Sequence, residues 1–195
     1  MKLPSRTVPD LASQLNFEKL ERTVDSEPVT SLPTTDLYVG RRIVYSSSAG
    51  PWDFVLDDPN ATYPWRFMGG PPLAHYIDTD QLKAGGGAGY ADLATVGPTV
   101  TVPLAGDYDY VASVNGYIAA AGVLTVGLNV AGAAPAAPHL AQASGHAAAT
   151  GGTMTWENQT LALAASAVLT VQYGASASNQ NFRWRSLKVR PLRVG

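Results

Sequence analysis

The chain has 195 residues, of which 46% are hydrophobic and only 14% charged, with 19 Gly, 14 Pro and no Cys. That hydrophobic share supports a packed core, and the length fits one domain or a domain with an appendage. The absence of Cys excludes a disulfide framework, a thiolate zinc site and a cysteine nucleophile. A formal net charge of -2 excludes a global basic field for nucleic acid.

Charge divides the chain. Residues 1–50 carry six basic and six acidic side chains, and residues 51–90 carry two basic and five acidic ones. From Leu93 to Phe182 there is no Lys or Arg, and only Asp107, Asp109 and Glu157 are acidic. Arg183, Arg185, Lys188, Arg190 and Arg193 then close the chain.

In chain order, the first expected unit is an N-terminal arm, residues 1–30. Lys2 and Arg6 have no apolar run behind them, so no secretory leader is read. Nor does any later stretch approach the ~20 apolar residues of a membrane span. Pro4 and Pro9 favour an extended start, and Asp10 can cap a helix over about 11–24. Leu11 and Leu15, with Phe17, Leu20 and Val24, give that helix an apolar stripe. A helix of this length is marginal alone in water, so it docks on its own body or on another chain.

The second unit, residues 31–83, is expected to be a small aromatic-rich β subdomain. Strands are read at Leu37–Tyr45, Trp52–Leu56 and Tyr63–Met68, with Asp57-Asp-Pro-Asn60 as the hairpin turn. Gly69-Gly-Pro-Pro72 ends the last of these strands, and residues 84–89 read as a Gly-rich linker.

The third unit, residues 90–195, alternates with period two. Tyr108, Tyr110, Ala112 and Val114 share one face, as do Leu124, Val126, Leu128 and Val130. Further strands are read at Thr99–Leu104, around Leu161 and Leu163, at Val168–Tyr173 and at Phe182–Val189. The segment from Pro135 to Gly152 reads as a long loop. The fold class expected is mainly β, ending in an antiparallel β-sandwich or jelly roll.

The neutral ninety residues are expected to be covered by copies of the same chain, since an isolated β-protein keeps charge on its surface. On the last strand, Phe182 and Trp184 are expected to face inward. Arg183 and Arg185 then face outward, forming with Arg190 a basic face open to an acidic neighbour.

No catalytic, metal or cofactor site is read. His75, His139 and His146 lack ligand spacing, and Gly85–Gly89 lacks the Lys-Ser/Thr of a phosphate loop. Asp107 and Asp109 share a face but read as a solvated edge rather than a glycosidase pair. Asn60-Ala-Thr62 and Asn158-Gln-Thr160 match the glycosylation tripeptide only as common patterns. Tyr117 and Trp156 are the aromatics that could stack on a sugar ring.

Leu32-Pro33, Gly40-Arg-Arg-Ile-Val-Tyr45 and Trp65-Arg-Phe-Met-Gly-Gly-Pro-Pro-Leu73 resemble a segment of tail and fibre-like structural proteins of tailed bacteriophages. Thr34 to Val39 departs from that family's Pro-Asp-Gly turn. Gly106-Asp-Tyr-Asp-Tyr-Val-Ala-Ser-Val and Trp184-Arg-Ser-Leu-Lys-Val-Arg-Pro-Leu192 are similar to strands of jelly rolls that trimerise in phage fibres and in tumour-necrosis-factor-like or C1q-like proteins. The resemblance implies a non-enzymatic virion protein, assembled in the bacterial cytoplasm. It also implies a homotrimer anchored through Pro9, Asp10, Leu11, Leu15, Phe17 and Leu20 to other virion proteins. The location implied is a tail tip, baseplate or tail fibre. The alternatives are a capsid head fibre or decoration protein, or a module binding a host receptor or glycan.

Overall fold

The computed structural model describes residues 28–83, 87–118, 122–137, 139–146, 150–157, 160–176 and 180–195. The expected helix over 11–24, and with it Pro9, Asp10, Leu11, Leu15, Phe17 and Leu20, lies outside the described residues.

The described residues form fourteen strands and no helix. An aromatic unit comes first: β1 (Arg42–Ser47), β2 (Gly50–Leu56) and β3 (Trp65–Gly69). There follow β4 (Leu73–Ile77), β5 (Gln81–Lys83), β6 (Gly87–Ala91), β7 (Thr99–Thr101) and β8 (Gly106–Ile118). The rest are β9 (Gly122–Val130), β10 (Leu140–His146), β11 (Thr150–Glu157), β12 (Leu161–Leu163), β13 (Val168–Ala175) and β14 (Gln180–Val194).

They make two antiparallel sheets. In the larger, β14 lies between β8 and a second row built successively from β5, β4 and β3, while β11 and β12 flank β8 on its far side. The smaller runs β10-β9-β13, with β6 and β7 on the outer side of β13. From β5 onward the chain passes repeatedly from one sheet to the other, as in a jelly-roll sandwich. Between the sheets, Tyr108, Tyr110, Ala112, Val114, Phe182 and Leu187 meet Leu124, Val126, Leu128, Leu169, Val171 and Tyr173, all buried. The period-two reading of β8 and β9 therefore selects the core face. At Gly116 that inward row runs out of room, because a Cβ there would lie 2.5 Å from Leu124 Cδ1.

The aromatic unit is continuous with this core. Trp52, Phe54, Leu56 and Trp65 belong to the same buried cluster as Tyr108 and Val100. β3 joins β14 at Arg66–Arg193 and Trp65–Val194. Trp52 stacks edge-on against Phe54 and Phe67 with ring centroids 6.2 Å apart, and its Nε1 donates to Pro71 O at 2.7 Å.

Several expectations change. Residues 73–83, grouped by sequence with the aromatic unit, are β4 and β5 of the sandwich, paired with β14. Gly87–Ala91, expected within or beside a linker, is strand β6 against β13. The long loop read from 135 to 152 contains β10 and the start of β11. Ala and Gly have weak intrinsic strand preference, and pairing with β9 and β8 overrides it. Residues 37–41 form a turn before β1, with Gly40 at φ 91°.

The main correction lies on β14. Trp184 is a bulge at φ 26°, inserted between the pairs Arg183–Asn115 and Arg185–Val114. One extra residue reverses the alternation beyond it. Phe182 is buried as expected, but Trp184 faces solvent and Arg185 is inside, 1% exposed.

Candidate assembly face

The larger sheet carries β8, β11 and β12 of the neutral stretch, and the smaller sheet carries β7, β9, β10 and β13 of it. Directly paired residues share a face, so the registers arrange the outer surface of the larger sheet in rows across β4 or β5, β14, β8 and β11. One row is Tyr76, Ser186, Ser113 and Thr155, with Ser113 Oγ 2.9 Å from Thr155 Oγ1. The next holds Arg183, Asn115 and Thr153, with Asn115 Nδ2 donating to Thr153 Oγ1 at 3.1 Å. A third holds Leu82, Asn181 and Tyr117.

On this face stand four large side chains that the fold leaves uncovered. Trp184 is 68% exposed, Tyr76 61%, Leu82 60% and Tyr117 37%. Single exposed apolar residues need no explanation, but a group of them on one sheet face marks an interaction surface. Asn181 Oδ1, in the same patch, is shielded from solvent and has no hydrogen-bond donor among the described residues.

One exposed ion pair stands within the patch, in the row between Leu82 and Trp184, and Lys188 lies beside Tyr76. Arg183 Nε meets Asp80 at 2.9 Å, and Lys188 Nζ lies 5.8 Å from the centre of the Tyr76 ring. Farther along β14, Arg190 pairs with Asp109, and Arg193 pairs with Asp57 at 2.5 Å. Arg183, Arg190 and Arg193 thus each meet a carboxylate of their own chain. Arg185 takes no part in the outer face.

Of the aromatics singled out by sequence, Tyr117 is in the patch, and Trp156 is placed by β11 opposite Ala112. Sequence reasoning missed Trp184, Tyr76 and Leu82. The run Ala74-His-Tyr-Ile77 carried a strand signal for Tyr76, but nothing in the sequence marks the bulge that turns Trp184 outward.

Elsewhere, His75 Nδ1 accepts from Thr99 N at 2.9 Å, and His139 Nδ1 lies 3.0 Å from the Tyr110 hydroxyl. His146 lies on β10 opposite Gly122. Among the described residues no group of three His, Asp or Glu side chains is placed to hold a metal ion. No helix among them is long and apolar enough to cross a membrane.

No protein-family model and no curated protein matches this sequence. Among solved structures, the globular domain of zebrafish complement 1qA protein is similar at TM-score 0.42 and 11% identity, over 65% of this chain and 100% of that one. Infectious bursal disease virus, Gx strain, is similar at TM-score 0.44 and 17% identity, over 83% of this chain and 42% of that one. The arabinose-bound α-L-arabinofuranosidase MgGH51 is similar at TM-score 0.35 and 16% identity, over 77% of this chain and 29% of that one. The jelly-roll assignment stands on this chain's own strand order and registers.

Proposed function

We propose that this chain is a non-enzymatic structural protein of a tailed-bacteriophage virion. It assembles as a homotrimer through the outer face of its larger sheet and attaches to the particle through residues 1–30. The observation that carries the assembly is the sheet face on which Trp184, Tyr76, Leu82 and Tyr117 are exposed together. Obligate interfaces are rich in exposed aromatic and apolar side chains, which this patch supplies, and its Arg183 is already paired with Asp80. The virion assignment rests on the resemblance of Trp65–Leu73 and its flanks to tail and fibre-like proteins. A tail tip, baseplate or tail fibre is the reading preferred, and a head fibre or decoration protein is the alternative, because an arm ahead of an oligomeric body serves both. Several arms on one assembly raise each other's effective concentration at the particle surface.

Light scattering on the purified chain tests the assembly directly, with a trimer mass expected and a monomer at all concentrations contradicting it. Removal of residues 1–24 is expected to leave the oligomer intact and abolish incorporation into particles. Electron microscopy of labelled particles separates tail from head.

A further inference from the structure

Among the described residues, every sheet edge is guarded except one. β1 is met on its free side by Val29, whose N–H donates to Val44 O at 2.7 Å and whose carbonyl accepts from Ser46 N at 2.8 Å. It also carries Arg42. β4 is tied across the sandwich to Thr99 of β7, whose N–H donates to His75 Nδ1 at 2.9 Å. β5, β7 and β12 have three residues each. β6 shifts register against β13 between Tyr173 and Ala175, and β10 shifts against β9 between Ala143 and His146. Cover, charge, short length and bulges are the devices that keep edge strands from pairing with other chains.

β11 has none of them. It is eight residues long and pairs with β8 from Thr150 to Glu157 without a register shift. No described strand pairs with its other side. It holds no Pro, Lys or Arg, and its one charge, Glu157, stands at its end.

We propose that the free edge of β11 pairs with the same edge of a second copy of this chain, antiparallel about a two-fold axis, so that the two larger sheets run on as one. Three observations choose a second copy. First, Thr150–Trp156 is uncharged, so an identical strand brings no like-charge repulsion to the ladder. Second, antiparallel pairing of a strand with itself is self-complementary and closes as a dimer. Third, the side chains fit when Thr153 opposes Thr153 of the second copy. Directly opposite residues share a face, so this register keeps both cores on the same side. It brings the exposed Thr153 side chains together on the outer face and sets Gly152 against the buried Met154 on the core side. Both Glu157 carboxylates then lie beyond the paired segment.

One strand pair is a small contact, of the size that makes weak interfaces. It joins chains at high local concentration, as on a particle, and leaves the mass at low concentration to the sheet face. It uses main-chain groups of β11 rather than Trp184 and Tyr76, so it does not rest on the trimer.

The chain has no Cys, so one introduced thiol per chain reads the pairing. Opposed Cα atoms in an antiparallel ladder lie about 4.5–5.5 Å apart, within disulfide reach. Thr153→Cys in the full chain is expected to form a covalent dimer under mild oxidation about tenfold faster or more than Thr101→Cys, because paired strands hold the two thiols at high effective concentration. Thr101 is an exposed position on β7. Light scattering over a concentration series is expected to show the wild-type mass doubling at the top of the series. Thr153→Lys, which sets two cations face to face at an exposed position, is expected to abolish the doubling without moving the unfolding midpoint at low concentration. Trp184→Ser with Tyr76→Ser is expected to lower the starting mass and leave both the doubling and the Thr153→Cys cross-link, so loss of the sheet face and loss of the edge are read apart. Equal cross-linking at the two thiol positions, a cross-link abolished by the Trp184 and Tyr76 substitutions, a mass that never doubles, or a doubling untouched by Thr153→Lys would each overturn the proposal.

Discussion

Arg185 of β14 and Tyr173 of β13 face each other across the sandwich, with the guanidinium carbon 5.6 Å from the ring centre. Both are buried, and Arg185 has no carboxylate partner among the described residues. Its donors reach backbone carbonyls instead: Thr95 at 3.4 Å, Gly97 at 3.5 Å and Thr79 at 3.3 Å. The Tyr173 hydroxyl donates to Gly97 O at 2.7 Å. Burial pushes that phenol far above its usual range, against the pull of Arg185, so it remains a donor at any ordinary pH. The pair ties the β4–β5 turn and the β6–β7 connection to the core.

The Arg185 bonds are long and its Nε has no partner among the described residues, so its packing outweighs its charge. Arg185→Met keeps most of the volume and removes the desolvation penalty of a buried cation, and is expected to cost no more than ~1–2 kcal/mol. Arg185→Ala opens a cavity and is expected to cost ~3 kcal/mol or more. Equal losses in urea unfolding would show that the hydrogen bonds dominate instead. Tyr173→Phe is expected to cost ~1 kcal/mol, the worth of one buried bond.

Gly70 controls how the aromatic unit closes on the body. Its φ is 131°, and a Cβ there would lie 2.6 Å from Pro51 O and 2.7 Å from Trp52 Cδ1. Gly70→Ala is expected to destabilise by ~3 kcal/mol or more through strain and overlap. Its neighbour Gly69 has nothing within 4 Å of a Cβ, so Gly69→Ala is expected to stay within ~0.5 kcal/mol of wild type. Thermal unfolding followed by tryptophan fluorescence separates the two.

These positions show what the sequence can and cannot disclose. Tyr108, Tyr110, Ala112 and Val114 announce the core face of β8 because alternation is a local property of side-chain chemistry. β10 and β11 stay hidden because Ala141, Ala143, Gly151 and Gly152 carry no strand preference of their own, and their conformation comes from distant partners. The aromatic unit is legible as strands but not as part of the body, because its attachment depends on β3 meeting β14 across more than a hundred residues. The outer face is least legible of all. One backbone torsion at Trp184 decides which of Trp184 and Arg185 meets solvent, and neither neighbour encodes it.

His139 supplies a pH dependence of known sign. Its ring packs against Tyr110 with centroids 5.8 Å apart, and burial lowers its pKa below the ordinary 6.5. Above about 6.5 the imidazole is neutral in both folded and unfolded chains and has no effect. As pH falls below that value the unfolded chain takes up the proton first, so stability drops until the folded pKa is passed. The unfolding midpoint of the wild type is therefore expected to fall between neutral and mildly acid pH, relative to His139→Gln. Parallel curves for the two proteins over that window would refute this.

The assembly face gives the sharpest test of the functional reading, because its residues are uncovered in the single chain. Trp184 and Tyr76 are 68% and 61% exposed, so replacing both with Ser removes little packing within the protomer. The midpoint of a monomer is expected to move by no more than ~0.5 kcal/mol equivalent, as for other exposed substitutions. An oligomer that buries them behaves differently, since large aromatics at the centre of an interface each carry ~2 kcal/mol or more. Across three identical interfaces the loss is repeated, so Trp184→Ser with Tyr76→Ser is expected to shift the light-scattering mass from trimer to monomer at micromolar concentration. The same double substitution should remove the concentration dependence of the unfolding midpoint that mass action imposes on an oligomer. Retention of the full mass would move the interface off this sheet face, and the Ser113–Thr155 and Asn115–Thr153 ladder would then be ordinary neutral surface.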